Sequence, residues 1–171
     1  MVGIRWKWKR VLFGAGVVGA IASGGLMCGP TYAYAGDGNK DTPVHFDFTF
    51  YQTTAGAGER DKYNATSTYI YLDTIDINEV NLYVDGGPNN SNTPLVNCMG
   101  GADAVVTRHK EAKKPYCIRN LVYERFGASG IADAELTGWG KGNTGKVTGV
   151  WSPDSLRAYT PLNGYCNPDI W

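Results

Sequence analysis

The chain has 171 residues, 43% of them hydrophobic and 19% charged, with 16 basic residues balancing 16 acidic ones. That size suits one domain with its own core, and nothing in the charge balance predicts nucleic-acid binding, which needs a clustered basic face. The two histidines, His45 and His109, stand far apart and no C-x-x-C pair occurs, so neither a metal site nor a cofactor is expected.

The even balance hides an asymmetry. The first ten residues carry Arg5, Lys7, Lys9 and Arg10 and no acid, and Val11 to Gly29 form an uncharged, mostly apolar run. Pro30 breaks the run, and Thr31-Tyr32-Ala33-Tyr34-Ala35 follows. These are the three parts of a secretory signal. Residues 1–35 are therefore expected to form a signal helix that is cut between Ala35 and Gly36. An uncleaved anchor is the competing reading, because the run approaches the roughly 20 residues of a spanning helix; Pro30 and the A-x-A site favour cleavage. Met27 stands where a lipobox needs a small residue, so Cys28 reads as a passenger. Without residues 1–35 the chain holds 12 basic and 16 acidic residues, a net charge of −4. The expected location is secreted, extracellular or at the cell surface, with the membrane met only through the signal before its removal.

Residues 36–43 are rich in Gly and Asp and read as a flexible start to the mature chain. Val44 to Tyr51 alternates, with Val44, Phe46, Phe48 and Phe50 on one face, the period of a half-buried strand. Thr53 to Asp61 reads as a loop. Thr66 to Leu72 is β-branched and aromatic, a second strand. Val80, Leu82 and Val84 mark a third, closed by Asp85-Gly86-Gly87-Pro88. Ala102 to Thr107 and Tyr116 to Phe126 read as two more, joined by the charged turn from Arg108 to Pro115. Ile131 to Thr137 and Lys146 to Trp151 complete the set around Gly138-Trp139-Gly140-Lys141-Gly142. Seven to eight short strands at fairly even spacing predict an all-β fold, an antiparallel β-sandwich over residues 44–155, with a C-terminal tail over 156–171.

Three cysteines remain after cleavage: Cys98, Cys117 and Cys166. Outside the cell they allow one disulfide and one thiol. All three pairings stay open; the expectation leans to Cys98–Cys117, because both lie within the region expected to fold.

Four features invite chemistry. Ser152 and Asp154 suggest a nucleophile, but no G-x-S-x-G elbow is present and nothing in the spacing brings a histidine to them. A turn fixed by Pro153 is the simpler reading. The turn holding Arg108, His109, Lys110, Lys113 and Lys114 is a candidate surface for an anionic polymer or membrane, although Glu111 dilutes it and a solvated hairpin tip reads as well. Trp139 is a candidate for stacking on a ligand. Asp37, Asn39 and Asp41 match the start of a calcium loop, which then fails at Thr42 and Phe48.

Phe46-Asp47-Phe48, the stretch Arg60 to Ser67, Ile118 to Glu124, Ala134-Glu135-Leu136 and Gly149-Val150-Trp151-Ser152-Pro153-Asp154-Ser155 together resemble a family of small exported proteins of Gram-positive bacteria grouped as a domain of unknown function. The resemblance spans about residues 44 to 155. It implies export and a β-rich fold, and some such proteins are exported with bacteriocin-like systems; it implies no catalytic residue. The expected function is an exported, non-catalytic module that binds an extracellular or cell-surface ligand. A secreted toxin or bacteriocin-like effector is the alternative.

Overall fold

A computed structural model describes residues 37–167. The expected signal helix, its cleavage point at Ala35 and Gly36 and the end of the tail lie outside the described residues. A short 3-10 turn (Asp37–Asn39) precedes β1 (Thr42–Phe48), β2 (Thr54–Gly56), β3 (Arg60–Lys62), β4 (Thr68–Asp76), β5 (Glu79–Pro88) and β6 (Val96–Asn97). Next come β7 (Ala104–Thr107), β8 (Pro115–Ile118), helix α1 (Val122–Phe126), β9 (Ala132–Trp139), β10 (Gly145–Ser152) and β11 (Thr160–Pro161). The first sheet runs β1-β10-β4-β8-β11; the second runs β2-β9-β5-β6, with β3 also on β9 and β7 also on β5. Every pairing between these strands is antiparallel except β11 on β8.

The longer strands are those the alternation predicts. In β1, Val44, Phe46 and Phe48 are buried while His45 is exposed, as a period of two requires. One core cluster draws Phe46, Leu72 and Trp151 from the first sheet and Leu82, Val84 and Leu136 from the second. Burying each such side chain contributes about 1.5–3 kcal/mol before entropy is counted. The additional strands β2, β3, β6 and β11 are two or three residues long, too short for any alternation to be legible.

Four departures have physical causes. The first predicted strand stops at Phe48, because Thr49 N–H bonds Gln52 O and the Thr49 hydroxyl accepts Gln52 N–H, both at 3.0 Å. Phe50 and Tyr51 are thrown outward. The predicted strand from Tyr116 to Phe126 divides at Asn120, whose side-chain oxygen accepts Val122 N–H at 3.2 Å and turns the chain into α1. That helix lies on β5 where Gly86 leaves room; a Cβ there would meet Val122 at 2.6 Å. The stretch expected to be flexible forms a 3-10 turn at Asp37–Asn39, with Gly38 O accepting Asp154 N–H at 3.1 Å.

The fourth departure is the tail. Its residues up to Asn167 belong to the fold. The disulfide joins Cys117 to Cys166, not to Cys98. Cys117 sits on β8 in the first sheet, where β11 runs alongside it and brings Cys166 within reach. Cys98 follows β6 of the second sheet, buried, with Val84 O and Leu121 N–H on its backbone. Two asparagines continue the attachment beyond β11. Asn163 accepts Arg119 N–H at 2.8 Å and donates to Arg119 O at 2.9 Å. Asn167 does the same for Asn120, at 3.0 and 2.7 Å. Each side-chain amide stands in for a strand residue.

At one end of the sheets, Lys62 at the close of β3 is fully buried. Its ammonium donates to Thr66 O (2.6 Å), Pro153 O (2.7 Å) and Asp154 Oδ1 (3.0 Å). The other oxygen of Asp154 accepts Tyr63 N–H at 2.9 Å. All three ammonium hydrogens are thus used, as a buried charge demands.

Lys62→Met should lower the unfolding free energy by about 3–5 kcal/mol, the usual cost of leaving a buried partner charge unpaired, read by urea denaturation. Reducing the disulfide, which spans 49 residues, should cost about 4 kcal/mol and expose the amides of residues 156–167 to hydrogen exchange. Burial pushes the Cys98 thiol above its ordinary value, so iodoacetamide should label it near neutral pH only after unfolding, as peptide mapping would reveal.

Candidate functional site

The strand registers place four connections at the end of the sheets opposite Lys62. They are the turns between β1 and β2, β4 and β5, β7 and β8, and β9 and β10, and each crosses from one sheet to the other. The candidate basic residues and Trp139 all lie here. Arg108 pairs with Asp76, Lys110 with Glu111 at 3.3 Å, Lys141 with Glu79 at 2.6 Å and Lys146 with Asp47 at 3.2 Å. His109, Lys113 and Lys114 are exposed. Glu111 does more than dilute charge: its buried carboxylate accepts Thr107 N–H at 2.7 Å and the Thr107 hydroxyl at 3.1 Å, which closes the turn. Arg108 and Lys110 are therefore paired while Lys113 and Lys114 enter no ion pair among the described residues, and exposed pairs of this kind are worth about 0–1 kcal/mol each.

The same end carries aromatic surface. Trp139 is 41% exposed, with the Lys141 ammonium 5.9 Å from its ring centre. Thr53 O accepts Gly140 N–H at 2.9 Å, tying the turn of Phe50 and Tyr51 to the β9–β10 connection. Phe50 and Tyr51 stand 77% and 94% exposed in edge-to-face contact, 5.3 Å between centres. Backbone strain gathers here too: among the described residues, His109, Lys113 and Lys141 are three of the four non-glycine residues with positive φ.

The second region was not visible in the sequence. Tyr69 on β4 and Tyr159 just before β11 meet with ring centres 4.9 Å apart, and the Arg157 guanidinium lies 5.1 Å from the Tyr159 ring. Two clefts share Tyr159. The larger, about 680 Å³, runs past Lys114, Pro115, Tyr116 and Thr160. The smaller, about 160 Å³, is bounded by Asn39, Asp41, Tyr69, Ser152, Asp154 and Leu156. In it the Ser152 hydroxyl donates to Asp41 Oδ1 at 2.8 Å. Asn39 Oδ1 is buried out of reach of solvent and has no hydrogen-bond partner among the described residues. Burial, and then the nearby Asp41 charge, raise the pKa of Tyr69.

Ser152, the candidate nucleophile, donates to Asp41 Oδ1, and the nearby Ser155 hydroxyl donates to Arg157 O at 2.6 Å. His45 and His109 are exposed. Among the described residues, no group of three or more His, Cys, Asp and Glu could hold a metal ion, and no helix is long and apolar enough to cross a membrane. The Cys117–Cys166 bridge is compatible with an extracellular protein.

No curated protein and no solved structure matches the chain at a significant level. One family does match, over residues 30–155, so that the strand, cysteine and tyrosine of the tail fall beyond the matched span. The chain belongs to the family of proteins of unknown function designated DUF2712.

Proposed function

We propose that the chain is an exported, non-catalytic β-sandwich that binds a ligand outside the cell or at its surface, through the clefts that meet at Tyr159. The observation that carries this reading is the side chain of Tyr159. It is held between two clefts and backed by Tyr69, with the polar side chains of Asp41 and Ser152 bordering the smaller cleft. Binding sites are concave and place a few polar groups against apolar walls. Export is supported by the leader pattern of residues 1–35 and by the disulfide.

A second reading, a secreted toxin or bacteriocin-like effector, is favoured by Phe50 and Tyr51, whose exposed rings suit insertion at a membrane interface. Purified protein should then inhibit growth of related bacteria, and Phe50→Ala/Tyr51→Ala should abolish the effect.

For the binding reading, the purified protein should co-sediment with washed cell envelopes of Gram-positive bacteria. Tyr159→Ala should weaken that binding by about tenfold, the loss of one aromatic contact and its neighbours. A parent protein that stays in the supernatant, or a folded Tyr159→Ala variant that sediments equally well, would overturn the proposal.

A further inference from the structure

We infer that the larger cleft at Tyr159 takes an oxyanion, a phosphate or carboxylate group carried on an extended chain, an inference that rests on the binding reading above. β8 and β11 run in parallel, with Thr160 beside Tyr116, so the residues that lead into the two strands come to the same end of the cleft. Leading into β8 is Lys114, which borders the cleft together with Pro115, Ala158 and Tyr159. Leading into β11 is Arg157, whose guanidinium lies 5.1 Å from the centre of the Tyr159 ring. The Ser155 hydroxyl donates to Arg157 O at 2.6 Å and holds the backbone from which that side chain projects. Lys114 and Arg157 are both exposed, and neither enters an ion pair among the described residues.

The charges around both clefts decide the sign of the ligand. Among the described residues that border the larger cleft there is no acid. Asp154 borders the smaller one and is neutralised by Lys62 at 3.0 Å. Asp41 is the remaining carboxylate, and it borders the smaller cleft, which shares only Tyr159 with the larger. Lys114 and Arg157 therefore make the larger cleft the cationic side, and Asp41 turns an anion away from the smaller. The basic turn contributes to the same side: Arg108 and Lys110 are matched by Asp76 and Glu111, which leaves Lys113 and Lys114 as its unpaired lysines. A guanidinium resting on a ring keeps its fork of N–H donors open, and that fork matches the two oxygens of a carboxylate or phosphate. Lys114 adds a second positive charge, and Tyr159, Pro115 and Tyr116 give apolar surface to the chain that carries the anion. Residues 36–171 hold 12 basic and 16 acidic residues, so the attraction is local to the cleft, within the roughly 10 Å over which charges act at 0.1 M salt. A neutral ligand would leave both cations unused, and a cationic one would be repelled by them.

Isothermal titration calorimetry of the purified protein with a soluble polyphosphate, poly-L-glutamate, cellotetraose and spermine tests this. The expected result is binding of at least one polyanion, and the preferred one identifies the oxyanion as phosphate or carboxylate. Binding should weaken by about tenfold between about 0.1 and 1 M salt, as the screening length falls from about 10 to 3 Å. Arg157→Gln and Lys114→Gln should each weaken it by about fivefold to tenfold. Lys141→Gln removes the same charge from a residue paired with Glu79 and should leave binding unchanged. All three residues are exposed, so the variants keep the fold even should Tyr159→Ala lose it. Binding of cellotetraose or spermine in preference to both polyanions overturns the inference. So does polyanion binding that Lys141→Gln weakens as much as Arg157→Gln, or that Arg157→Gln and Lys114→Gln leave unchanged. If envelope binding depends on Tyr159 while neither polyanion competes with it, the oxyanion inference falls and the binding reading stands. If the protein binds neither envelopes nor polyanions, both fall.

Discussion

A single buried ion pair governs how the chain closes on itself. Lys62 ends a strand of the second sheet, and Asp154 follows the last long strand of the first. Removing both charges from water costs several kcal/mol per ion. That cost is offset because the ammonium has three oxygen acceptors and the carboxylate accepts a backbone N–H as well. The geometry admits little else: Gly38 passes so close to Asp154 that a Cβ there would fall 2.2 Å from its carboxylate. Fixing Pro153 and Asp154 fixes Ser152 against Asp41, and with it one wall of the smaller cleft. The clamp thus links the join between the sheets to the surface proposed to bind.

The opposite end shows a different solution to charge. Four connections change sheets there, and four cations are matched by four acids within reach. Each of those pairs relieves repulsion where the turns crowd together, while Lys113 and Lys114 stay exposed to solvent. Positive φ at His109, Lys113 and Lys141 is tolerated because the neighbouring strands hold both ends of each turn; Lys113 N–H, for instance, bonds Leu72 O at 2.7 Å.

What the sequence reveals follows the range of the interaction. Alternation within β1 is a local property, so Val44, Phe46 and Phe48 could be assigned inward from their spacing alone. Lys62 could not, because it sits in Glu59-Arg60-Asp61-Lys62, which reads as a solvated loop, and its partner is 92 residues away. Asp154 and Ser155 were legible as turn formers, but not as the receiving half of that pair. The tail illustrates the same limit. Gly, Asn and Pro signal irregular chain, yet Asn163 and Asn167 use their amides to extend a sheet edge, and no local pattern distinguishes the two uses. The cysteine pairing was misread because the tail was placed outside the fold. Of the candidate sites, the basic turn and Trp139 were visible from composition, whereas Tyr69 and Tyr159 meet only through the route of the tail.

That route has a consequence for when the protein becomes complete. Tyr159, β11 and Cys166 all lie within the last sixteen residues of the chain. They pack on a β8 edge whose partner β4 is already in place. The two sheets share most of their core without the tail: among the described residues none of its apolar side chains is fully buried, and Leu162 packs against the core from outside. A chain interrupted near Leu156 would therefore keep its interior and lose its clefts. The framework and the clefts are thus separable: the strands before Leu156 supply the first, and the segment carrying Tyr159 and Cys166 completes the second.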